Sequence, residues 1–314
     1  MKNNTKALGS LENYLIIDRI EKGGYSTVYK VRHEITNKFF AAKVVERFCK
    51  NEKEISIKLS ETQSPFINKY IDFSQGELKL GKNEDFVSFF IFELCPKGSL
   101  NYYITSYLGG FEEKYCKLIF YKILQGIKVI HDNGICHRDI KVDNILLDEE
   151  YNIKICDFGF SCNNKKYLDE YLGTRKYMAP EIVKGMAYDG IKADIFSLGI
   201  LLFNLRTSKF IFDLNKVNGI SLYDYIKDKN EMIWKIAESN GIKGLSKEFK
   251  NLFLKMVSYE PNERPNTNDI LNDEWFSEIR NLSKVDLEKL NQEVINEFKK
   301  REKIFSLEKN TTKK

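Results

Sequence analysis

The feature that most constrains the fold is a change of hydrophobic pattern near Pro96. Before it, runs of β-branched and aromatic residues alternate with turn residues, which predicts strands at 14–20, 28–32, 39–45, 67–73 and 86–92. One helix is expected at about 50–60. After Pro96, apolar residues recur at three- and four-residue steps, first in a helix over 111–133 that Gly134 closes. The sequence therefore predicts an α+β fold with two lobes: a small one, in which a five-stranded antiparallel sheet carries one helix, and a larger, mainly helical one.

The same patterns predict how the chain is divided. We place an N-terminal extension at 1–13, the small lobe at 14–92, a connecting hinge at 93–97 and the large lobe at 98–276. Further helices of the large lobe are expected near 191–206, 221–238, 246–257 and 267–273. The segment 277–314 is rich in charge and carries apolar residues at helical spacing, which predicts a helical tail. A helix that is packed on the large lobe or partly disordered is the simpler interpretation. The alternative is a segment that binds a regulatory partner, as a calmodulin-type target or an autoinhibitory segment would.

Composition excludes several classes of protein. The 50 basic and 45 acidic residues leave a net charge of only +5, without the clustered excess that nucleic-acid binding usually needs. The six cysteines show no C-x₂-C pairing, which favours reduced thiols and a cytoplasmic protein, with nuclear access left open. The N-terminus has no apolar signal sequence, and the apolar run 195–205 is too short to cross a membrane. We expect a monomer that is not inserted in a membrane.

The motif that carries chemistry is His-Arg-Asp-Ile-Lys-Val-Asp-Asn at 137–144, followed by Asp-Phe-Gly at 157–159. Asp139 can orient a hydroxyl group and accept its proton, and Lys141 can neutralise a group in transfer. Asn144 and Asp157 can hold Mg²⁺ against phosphates. One proton acceptor and two metal-binding side chains at this separation point to phosphoryl transfer from Mg-ATP.

These residues resemble the catalytic loop and the metal-binding loop of the eukaryotic protein kinases. The resemblance covers roughly residues 14–276 and is closest to serine/threonine kinases of the calcium/calmodulin-dependent and SNF1-like groups. Lys141 is typical of serine/threonine kinases, and Gly-Thr at 173–174 with Ala-Pro-Glu at 179–181 is similar to their substrate platform. The resemblance implies transfer of the ATP γ-phosphate to Ser or Thr hydroxyls of a protein substrate.

The phosphate side of the nucleotide site is implied by two segments. Residues 20–28 are similar to the kinase glycine loop, but only Gly23 matches one of its three glycines, with Gly24 beside it and Glu21 and Ser26 at the other two positions. Lys43 in Ala-Ala-Lys matches the strand lysine that binds phosphates and pairs with a helix glutamate. We predict Glu54 as that partner, with Glu52 as the alternative. The segment from Lys43 to Glu54 is shorter than is usual in the family.

The adenine side is implied by apolar residues and by the hinge. Its expected contacts are Val28 and Ala41 above the purine, Leu146 below it, and the backbone of Glu93 and Cys95 at its edge. Phe92 takes the position of a bulky residue that narrows the pocket behind the nucleotide.

Three further pairs are expected around the substrate platform. The resemblance implies that Thr174 bridges Asp139 and Lys141, that Glu181 pairs with Arg264, and that Asp194 supports the backbone of the catalytic loop. The position of the usual activating phosphate is Glu170, and 163–172 contains no Ser or Thr. We hypothesise that the Glu170 carboxylate partly replaces a phosphate by pairing with Arg138.

Two other functions stay open at this point. A pseudokinase, acting as a scaffold or an allosteric partner, is favoured by the degraded glycine loop and the short segment after Lys43. The presence of Lys43, Asp139, Asn144 and Asp157 opposes it. A kinase of small molecules is disfavoured by the substrate platform at 173–181.

Overall fold

The small lobe is a closed antiparallel barrel. The computed structural model describes residues 7–104, 109–163, 167–211, 227 and 231–311, with only the helix backbone after 305. Within these residues the barrel strands are β1 (Gly9–Leu11), β2 (Tyr14–Lys22), β3 (Ser26–His33), β4 (Phe39–Val45), β5 (Tyr70–Leu80) and β6 (Asn83–Glu93). They are hydrogen-bonded in the order β1-β2-β3-β4-β6-β5, and β1 pairs with both β2 and β5. Buried residues such as Ile16, Val31 and Phe89 fill the interior.

The predicted α+β architecture is confirmed, and the sheet differs from the predicted five strands in two ways. Residues 9–11, assigned to the N-terminal extension, form β1. The polar stretch 74–85, expected to separate two strands, instead continues them into a long β5–β6 hairpin in which Leu80 faces Asn83. In its outer part only one face is buried: Leu78 belongs to the barrel core, whereas Phe86 is 76% exposed. Hydrophobic alternation does not mark such strands.

One helix, α1 (Lys50–Glu61), packs against the barrel and fixes the inner face of the cleft between the lobes. Its buried residues are Glu52, Ile55, Ser56 and Leu59. Ile55 and Ser56 follow Glu52 by three and four residues, and Leu59 follows them by four and three, so all four lie on one face. Ile55 and Leu59 are the apolar members of that face, so they determine which other side chains point inward.

The large lobe is helical. Its described helices are α2 (Leu100–Ile104), α3 (Glu113–Asp132), α4 (Pro180–Val183), α5 (Gly190–Thr207), α6 (Met232–Ser239), α7 (Lys247–Met256), α8 (Thr267–Leu271), α9 (Ser277–Asn281) and α10 (Lys284–Thr311). The almost fully buried α5 starts at Asp189, whose side chain accepts hydrogen bonds from the backbone of Ile191 and Lys192. It packs against α3 and α7. The helix predicted over 221–238 is seen only as α6, since 221–226 and 228–230 lie outside the described residues.

Four short strands lie between α3 and α4 and place the motif residues. They are β7 (Ile135–Cys136), β8 (Ile145–Leu147), β9 (Ile153–Ile155) and β10 (Cys162–Asn163). The hairpin β8–β9 separates the 137–144 motif from Asp-Phe-Gly, and β10 pairs back onto β7. The two motifs are therefore neighbours, although thirteen residues separate Asn144 from Asp157.

The tail helix α10 is part of the large lobe. Its buried Phe298 lies 5.0 Å from the ring of Tyr103 and 5.4 Å from that of Phe111, measured between ring centroids. Arg301, only 3% exposed, donates hydrogen bonds to the carbonyls of residues 103, 109 and 110. Its guanidinium also lies 3.9 Å from the Phe111 ring centroid. These contacts agree with the packed-helix interpretation of the tail.

A membrane-crossing helix would need a long apolar stretch. None of the helices in the described part of the chain combines that length and that hydropathy.

Candidate active site

The loop that carries the 137–144 motif, called the motif loop below, is held by hydrogen bonds to a buried carboxylate. Asp194 on α5 is 1% exposed and accepts hydrogen bonds from the backbone N–H groups of His137 (2.7 Å) and Arg138 (2.8 Å). Arg138 has a φ of +65°, a left-handed conformation that a side-chain-bearing residue adopts only at a cost. The two bonds to Asp194 hold that conformation in place. The predicted support of the loop by Asp194 is confirmed.

Asp139 lies in a network of donors. Thr174 donates to its Oδ1 at 2.7 Å, and Lys141 Nζ contacts its Oδ2 at 2.7 Å. Lys141 Nζ is also 3.0 Å from the Thr174 hydroxyl, so the predicted bridge through Thr174 is present. Burial works against the charge of Lys141, but the hydrogen bond to Asp139 and the charge of that carboxylate outweigh it and raise the pKa of Lys141. The side chain of Asp139 is thus held in one orientation as a hydrogen-bond acceptor.

Asn144 and Asp157 are brought together by the β8–β9 hairpin. The backbone N–H of Cys156 donates to the Asn144 carbonyl at 3.0 Å, which places Asp157 next to Asn144. The Asn144 side chain uses its amide nitrogen to donate to the Asp139 carbonyl at 2.8 Å, so its amide oxygen is not needed for that bond. Asp157 has a φ of +64°. An amide oxygen and a carboxylate are the hard donors that suit Mg²⁺.

A cation here would need oxygens from a bound phosphate as well. Within the described ranges, no cluster of three or more His, Cys, Asp or Glu side chains could hold a metal by itself. Mg²⁺ characteristically takes one or two carboxylates and completes its shell with water and substrate phosphates. The residues at this position fit such an ion together with a phosphorylated ligand.

Lys43 lies between two carboxylates. Its Nζ is 2.5 Å from Glu52 Oε1 and 2.8 Å from Asp157 Oδ1, and the lysine side chain is only 12% exposed. Burial alone would lower the pKa of Lys43, but the carboxylates of Asp157 and Glu52 outweigh it and raise the pKa. Burial raises the pKa of Glu52, whereas the Lys43 ammonium overcomes burial at Asp157 and lowers that pKa. The lysine therefore stays charged at neutral pH.

The prediction that Glu54 pairs with Lys43 is wrong, and the alternative, Glu52, is the partner. Glu54 lies on the solvent face of α1, where its carboxylate is 3.3 Å from Lys50 Nζ and 61% of its side chain is exposed. Because Ile55 and Leu59 define the buried face, the glutamate three residues before Ile55 points inward and Glu54 points outward. The spacing of apolar residues along α1 therefore already indicated Glu52 as the inward-facing glutamate.

The apolar residues predicted to surround a nucleotide lie on two barrel strands and on β8. In the barrel, Val28 lies opposite Lys43 on the neighbouring strand and Ala41 lies opposite Phe92. Leu146 lies on β8, and this residue, Val28 and Ala41 are half-buried. Their apolar side chains are therefore only partly covered by protein.

Gly23 and Gly24 form the exposed turn between β2 and β3. Gly23 donates its N–H to the Ser26 carbonyl at 2.9 Å. A Cβ atom on Gly23 would come no closer than 3.6 Å to that oxygen, and one on Gly24 would meet nothing within 4 Å. Neither glycine is thus required by the packing of the protein itself.

The hinge residues Glu93 and Cys95 are held by contacts with the large lobe and with the segment between α1 and β5. The Glu93 carboxylate is 2.9 Å from Lys154 Nζ and accepts from the Lys69 N–H at 2.8 Å. Asn68 donates to the Cys95 sulfur at 3.3 Å. Burial, with the nearby Glu93 carboxylate, raises the pKa of the Cys95 thiol to about 12. Cys95 is therefore an inert, packed residue whose side chain fixes the hinge backbone.

We call the stretch between Asp-Phe-Gly and Gly-Thr, residues 160–172, the activation segment. It is joined to the motif loop by the predicted contact between Arg138 and Glu170. Arg138 Nη1 lies 2.8 Å from Glu170 Oε2, and Arg138 Nε donates to the Phe160 carbonyl at 2.6 Å. The Glu170 side chain is 52% exposed, while that of Arg138 is 6% exposed. One half-exposed ion pair of this kind contributes up to about 1 kcal/mol.

The predicted pair of Glu181 and Arg264 is buried and bidentate. Arg264 Nη1 and Nη2 lie 2.6 and 2.7 Å from the two carboxylate oxygens, and the arginine side chain is fully buried. Its remaining donors reach the carbonyls of Ser258 and Lys192. This network joins the substrate platform to the core of the large lobe.

Two buried polar residues near the site were not predicted. The ring of His137 contacts the Cys156 carbonyl at 3.0 Å and so ties the motif loop to the strand before Asp157. Ser56 on α1 is 2% exposed, and its hydroxyl has no hydrogen-bond partner among the described residues. The periodicity of α1 could have found Ser56, since it follows the buried Glu52 by four residues.

Comparisons with known proteins agree with this geometry. The family profile described as the protein kinase domain matches residues 14–276. The chain is 29% identical over 84% of its length to a putative serine/threonine-protein kinase of Saccharomyces cerevisiae, covering 28% of that protein. It is 28% identical over 85% of its length to CBL-interacting protein kinase 26 of Oryza sativa, and 30% identical over 85% to the interferon-induced, double-stranded RNA-activated protein kinase of Rattus norvegicus, covering 52% of each. The chain thus spans about a quarter to a half of these relatives.

Proposed function

The chain belongs to the protein kinase domain family, and from this premise we propose that it is a protein serine/threonine kinase that uses ATP and Mg²⁺. The observation that carries the proposal is the fixed Asp139 carboxylate, which accepts from Thr174 at 2.7 Å and lies 2.7 Å from Lys141 Nζ. A network of this kind prepares one carboxylate to receive a hydroxyl group. The proposed substrates are Ser and Thr side chains of proteins.

In the proposed reaction, Asp139 orients the substrate hydroxyl and accepts its proton as the oxygen attacks the terminal phosphorus. Lys141 and Lys43 stabilise the negative charge on the transferring group and on the other phosphates. Asn144 and Asp157 would hold Mg²⁺, which supplies charge neutralisation when it is bound. Lys43 contacts Asp157 at 2.8 Å, so the two groups that would meet the phosphates are already close to each other. Catalysis then rests on positioning and electrostatics.

We propose that Val28, Ala41 and Leu146 contact the purine and that the backbone of Glu93 and Cys95 binds its edge. The half-buried state of the three apolar residues supports this assignment. The backbone of Gly23 and Gly24 would approach the phosphates, which agrees with the open space around both residues. The preference for Ser and Thr is supported by Lys141 and its contact with Thr174 at 3.0 Å.

The proposal is tested by incubating the purified chain with labelled ATP, Mg²⁺ and a generic protein substrate. Asp139→Asn keeps the shape of the side chain but removes the proton acceptor, and we expect phosphate incorporation to fall about 10²- to 10⁴-fold. Asp169→Asn is the matched control, since Asp169 is an exposed acid on the activation segment. Phosphoamino-acid analysis identifies the acceptor. Equal activity of Asp139→Asn and the control would refute the role of Asp139.

The pseudokinase alternative is supported by the exposed glycine turn, in which Glu21 places a negative charge near the phosphate position. It predicts that the chain binds Mg-ATP but transfers no phosphate, or that it does not bind the nucleotide. Calorimetric titration with Mg-ATP, run beside the transfer assay and with Asp157→Ala as a control, separates these outcomes. We further propose that the tail helix binds a regulatory partner. Because Arg301 is buried in the large lobe, removing the residues after 276 would also disturb that lobe.

We also propose that Glu170 partly replaces an activating phosphate. Its carboxylate contacts Arg138 at 2.8 Å, and Arg138 is joined by its backbone to the loop that carries Asp139. Glu170→Ala should lower the activity of unphosphorylated protein by up to about fivefold, because it removes up to about 1 kcal/mol of ordering at Arg138. Asp169→Ala is the control on the same segment. Full activity of Glu170→Ala would contradict this proposal.

A further inference from the structure

Two cysteines face each other where the motif loop meets the activation segment. Cys136 ends β7 and Cys162 begins β10, and the two residues are opposite partners in this antiparallel pair. Their sulfur atoms are 3.4 Å apart. A disulfide requires about 2.05 Å between the sulfurs, so they need to approach by little more than an ångström. The strand pairing already sets the two residues side by side.

The two thiols differ in their surroundings. Cys136 is fully buried and also packs against the position of Gly190, whereas Cys162 is half-buried and so reachable from solvent. The hydrogen bond from Cys136, with the positive charge of Arg138, outweighs burial and the nearby Glu170 and lowers the pKa of Cys162 to about 7. That hydrogen bond and burial raise the pKa of Cys136. Cys162 is therefore the more readily ionised thiol of the pair.

The other cysteines with a shifted pKa behave in the opposite way. Burial raises the pKa of Cys156 well above its ordinary value and raises that of Cys95 to about 12. Burial also raises the pKa of Cys116, which is fully covered by protein. Since thiolates and not thiols react with peroxides, these three are protected from oxidation.

We propose that Cys136 and Cys162 are an oxidisable dithiol, which hydrogen peroxide converts into a disulfide that joins the motif loop to the activation segment. Reactivity of this type needs an accessible cysteine next to a second one that can resolve the first product. Cys162 is the accessible residue, and Cys136, 3.4 Å away, is the resolving one. This inference rests on the geometry of the pair and is independent of the proposed kinase activity.

The chemistry balances in two steps. The Cys162 thiolate attacks one peroxide oxygen and breaks the O–O bond, which gives a sulfenic acid at Cys162 and releases hydroxide, neutralised to water by the proton lost from the thiol. The Cys136 sulfur then attacks the sulfenic sulfur, the S–O bond breaks, and a second water leaves with the Cys136 proton. Two thiols lose two electrons in total, and the peroxide accepts them. A dithiol reductant reverses the reaction by thiol–disulfide exchange.

The bond would close a loop that contains residues 137–161, which include both motifs. Cross-linking its ends restricts the unfolded chain, so the oxidised protein should melt at a higher temperature than the reduced protein. It would also fix β10 beside Arg138, the residue that contacts Glu170. The start of the activation segment could then no longer separate from the motif loop.

The test treats the full chain with hydrogen peroxide and follows it by intact mass and by peptide mapping without reduction. We expect a loss of about 2 Da, a peptide in which Cys136 is joined to Cys162, and recovery of the original mass with dithiothreitol. Cys136→Ala should stop at the first step, giving a gain of about 16 Da at Cys162 that a sulfenic-acid reagent traps. This step should be slower than in the wild type, because the hydrogen bond from Cys136 that lowers the pKa of Cys162 is lost. Cys162→Ala should show neither change.

Cys49 is the internal control, because it is also half-buried but lacks a cysteine partner among the described residues. The proposal is overturned if the wild-type chain forms no 136–162 peptide, or if Cys162 is modified no faster than Cys49. The wild-type measurement decides the matter even if Cys136→Ala does not fold. A rise in melting temperature on oxidation that dithiothreitol reverses, and that Cys162→Ala lacks, is the second readout.

Discussion

Replacing Glu52 by Gln tests whether the buried lysine is positioned by this residue. Glu52 is the acid that α1 turns toward Lys43, at 2.5 Å, while Asp157 holds the same Nζ at 2.8 Å. Removing one partner of a buried ion pair usually costs about 3–5 kcal/mol when a charge is left uncompensated. Here Lys43 keeps Asp157, and the Gln side chain still offers an amide oxygen. Burial also raises the pKa of Glu52, so loss of its charge relieves a desolvation penalty. We therefore expect the free energy of unfolding to fall by only about 1 kcal/mol.

The expected effect on phosphate transfer is larger. Without the Glu52 carboxylate, the Lys43 ammonium is attracted by Asp157 alone and moves toward it. Misplacement of a catalytic group by about 1 Å costs on the order of 10²-fold in rate. This loss corresponds to about 2.7 kcal/mol in the activation barrier. The steady-state kcat/KM of Glu52→Gln with ATP should thus fall about 10²-fold while urea unfolding changes little.

Glu54→Gln is the matched control, because it makes the same chemical change two residues away. The Glu54–Lys50 pair is exposed on both sides, at 61% and 81%, and contributes only about 0.3–0.5 kcal/mol. Both kcat/KM and stability should remain close to those of the wild type. If Glu54→Gln lost as much activity as Glu52→Gln, or if Glu52→Gln kept full activity, the assignment of Lys43's partner would fail.

Three further changes probe the packing and the cleft. Glu181→Ala leaves the fully buried Arg264 without its carboxylate and should lower the free energy of unfolding by about 3–5 kcal/mol, measured in urea. The control, Glu278→Ala, breaks an exposed pair with Lys117 and should lower that free energy by less than about 1 kcal/mol. Arg301→Ala removes the hydrogen-bond donors to the carbonyls of residues 103, 109 and 110 and should lower the free energy of unfolding by at least about 3 kcal/mol. Lys300→Ala, at the neighbouring exposed residue, should change stability little. Equal effects would show that Arg301 does not anchor the tail. Gly23→Ala should leave the melting temperature unchanged, because the protein leaves space for a Cβ atom there. It should raise the KM for ATP about tenfold, because the added methyl group would occupy space that the backbone leaves open to a phosphate. A lower melting temperature would contradict the first expectation, and an unchanged KM the second.

Features that depend on local hydrophobic pattern and on motif spacing could be predicted from the sequence. The strand-rich and helix-rich halves, the neighbouring positions of Asp139 and Asn144, and the Glu181–Arg264 pair all follow from residue order and resemblance. The orientation of α1, and with it the partner of Lys43, depends on the buried face of the helix and not on the distance along the chain from Lys43. Ile55 and Leu59 set that face, and they direct Glu52 inward.

Other features depend on contacts between distant segments and leave no local pattern. β1 is a strand only because β2 and β5 supply hydrogen-bond partners on both sides. Cys136 and Cys162 are 26 positions apart and meet through the pairing of β7 with β10. Arg301 is charged, yet it is buried because backbone carbonyls from a turn almost 200 positions earlier receive its hydrogen bonds. Residue type alone would have placed it at the surface.

Closure of the six strands has a consequence for how the small lobe behaves at high concentration. An open sheet presents unpaired N–H and C=O groups along its outer strands, and these can recruit a strand of a neighbouring molecule into an aggregate. Because Gly9–Leu11 is bonded on both of its sides, it covers the edges of β2 and β5 over the residues with which it pairs. Removal of the first eleven residues would therefore do more than shorten the chain, because it would expose an unpaired strand edge on β2 and another on β5.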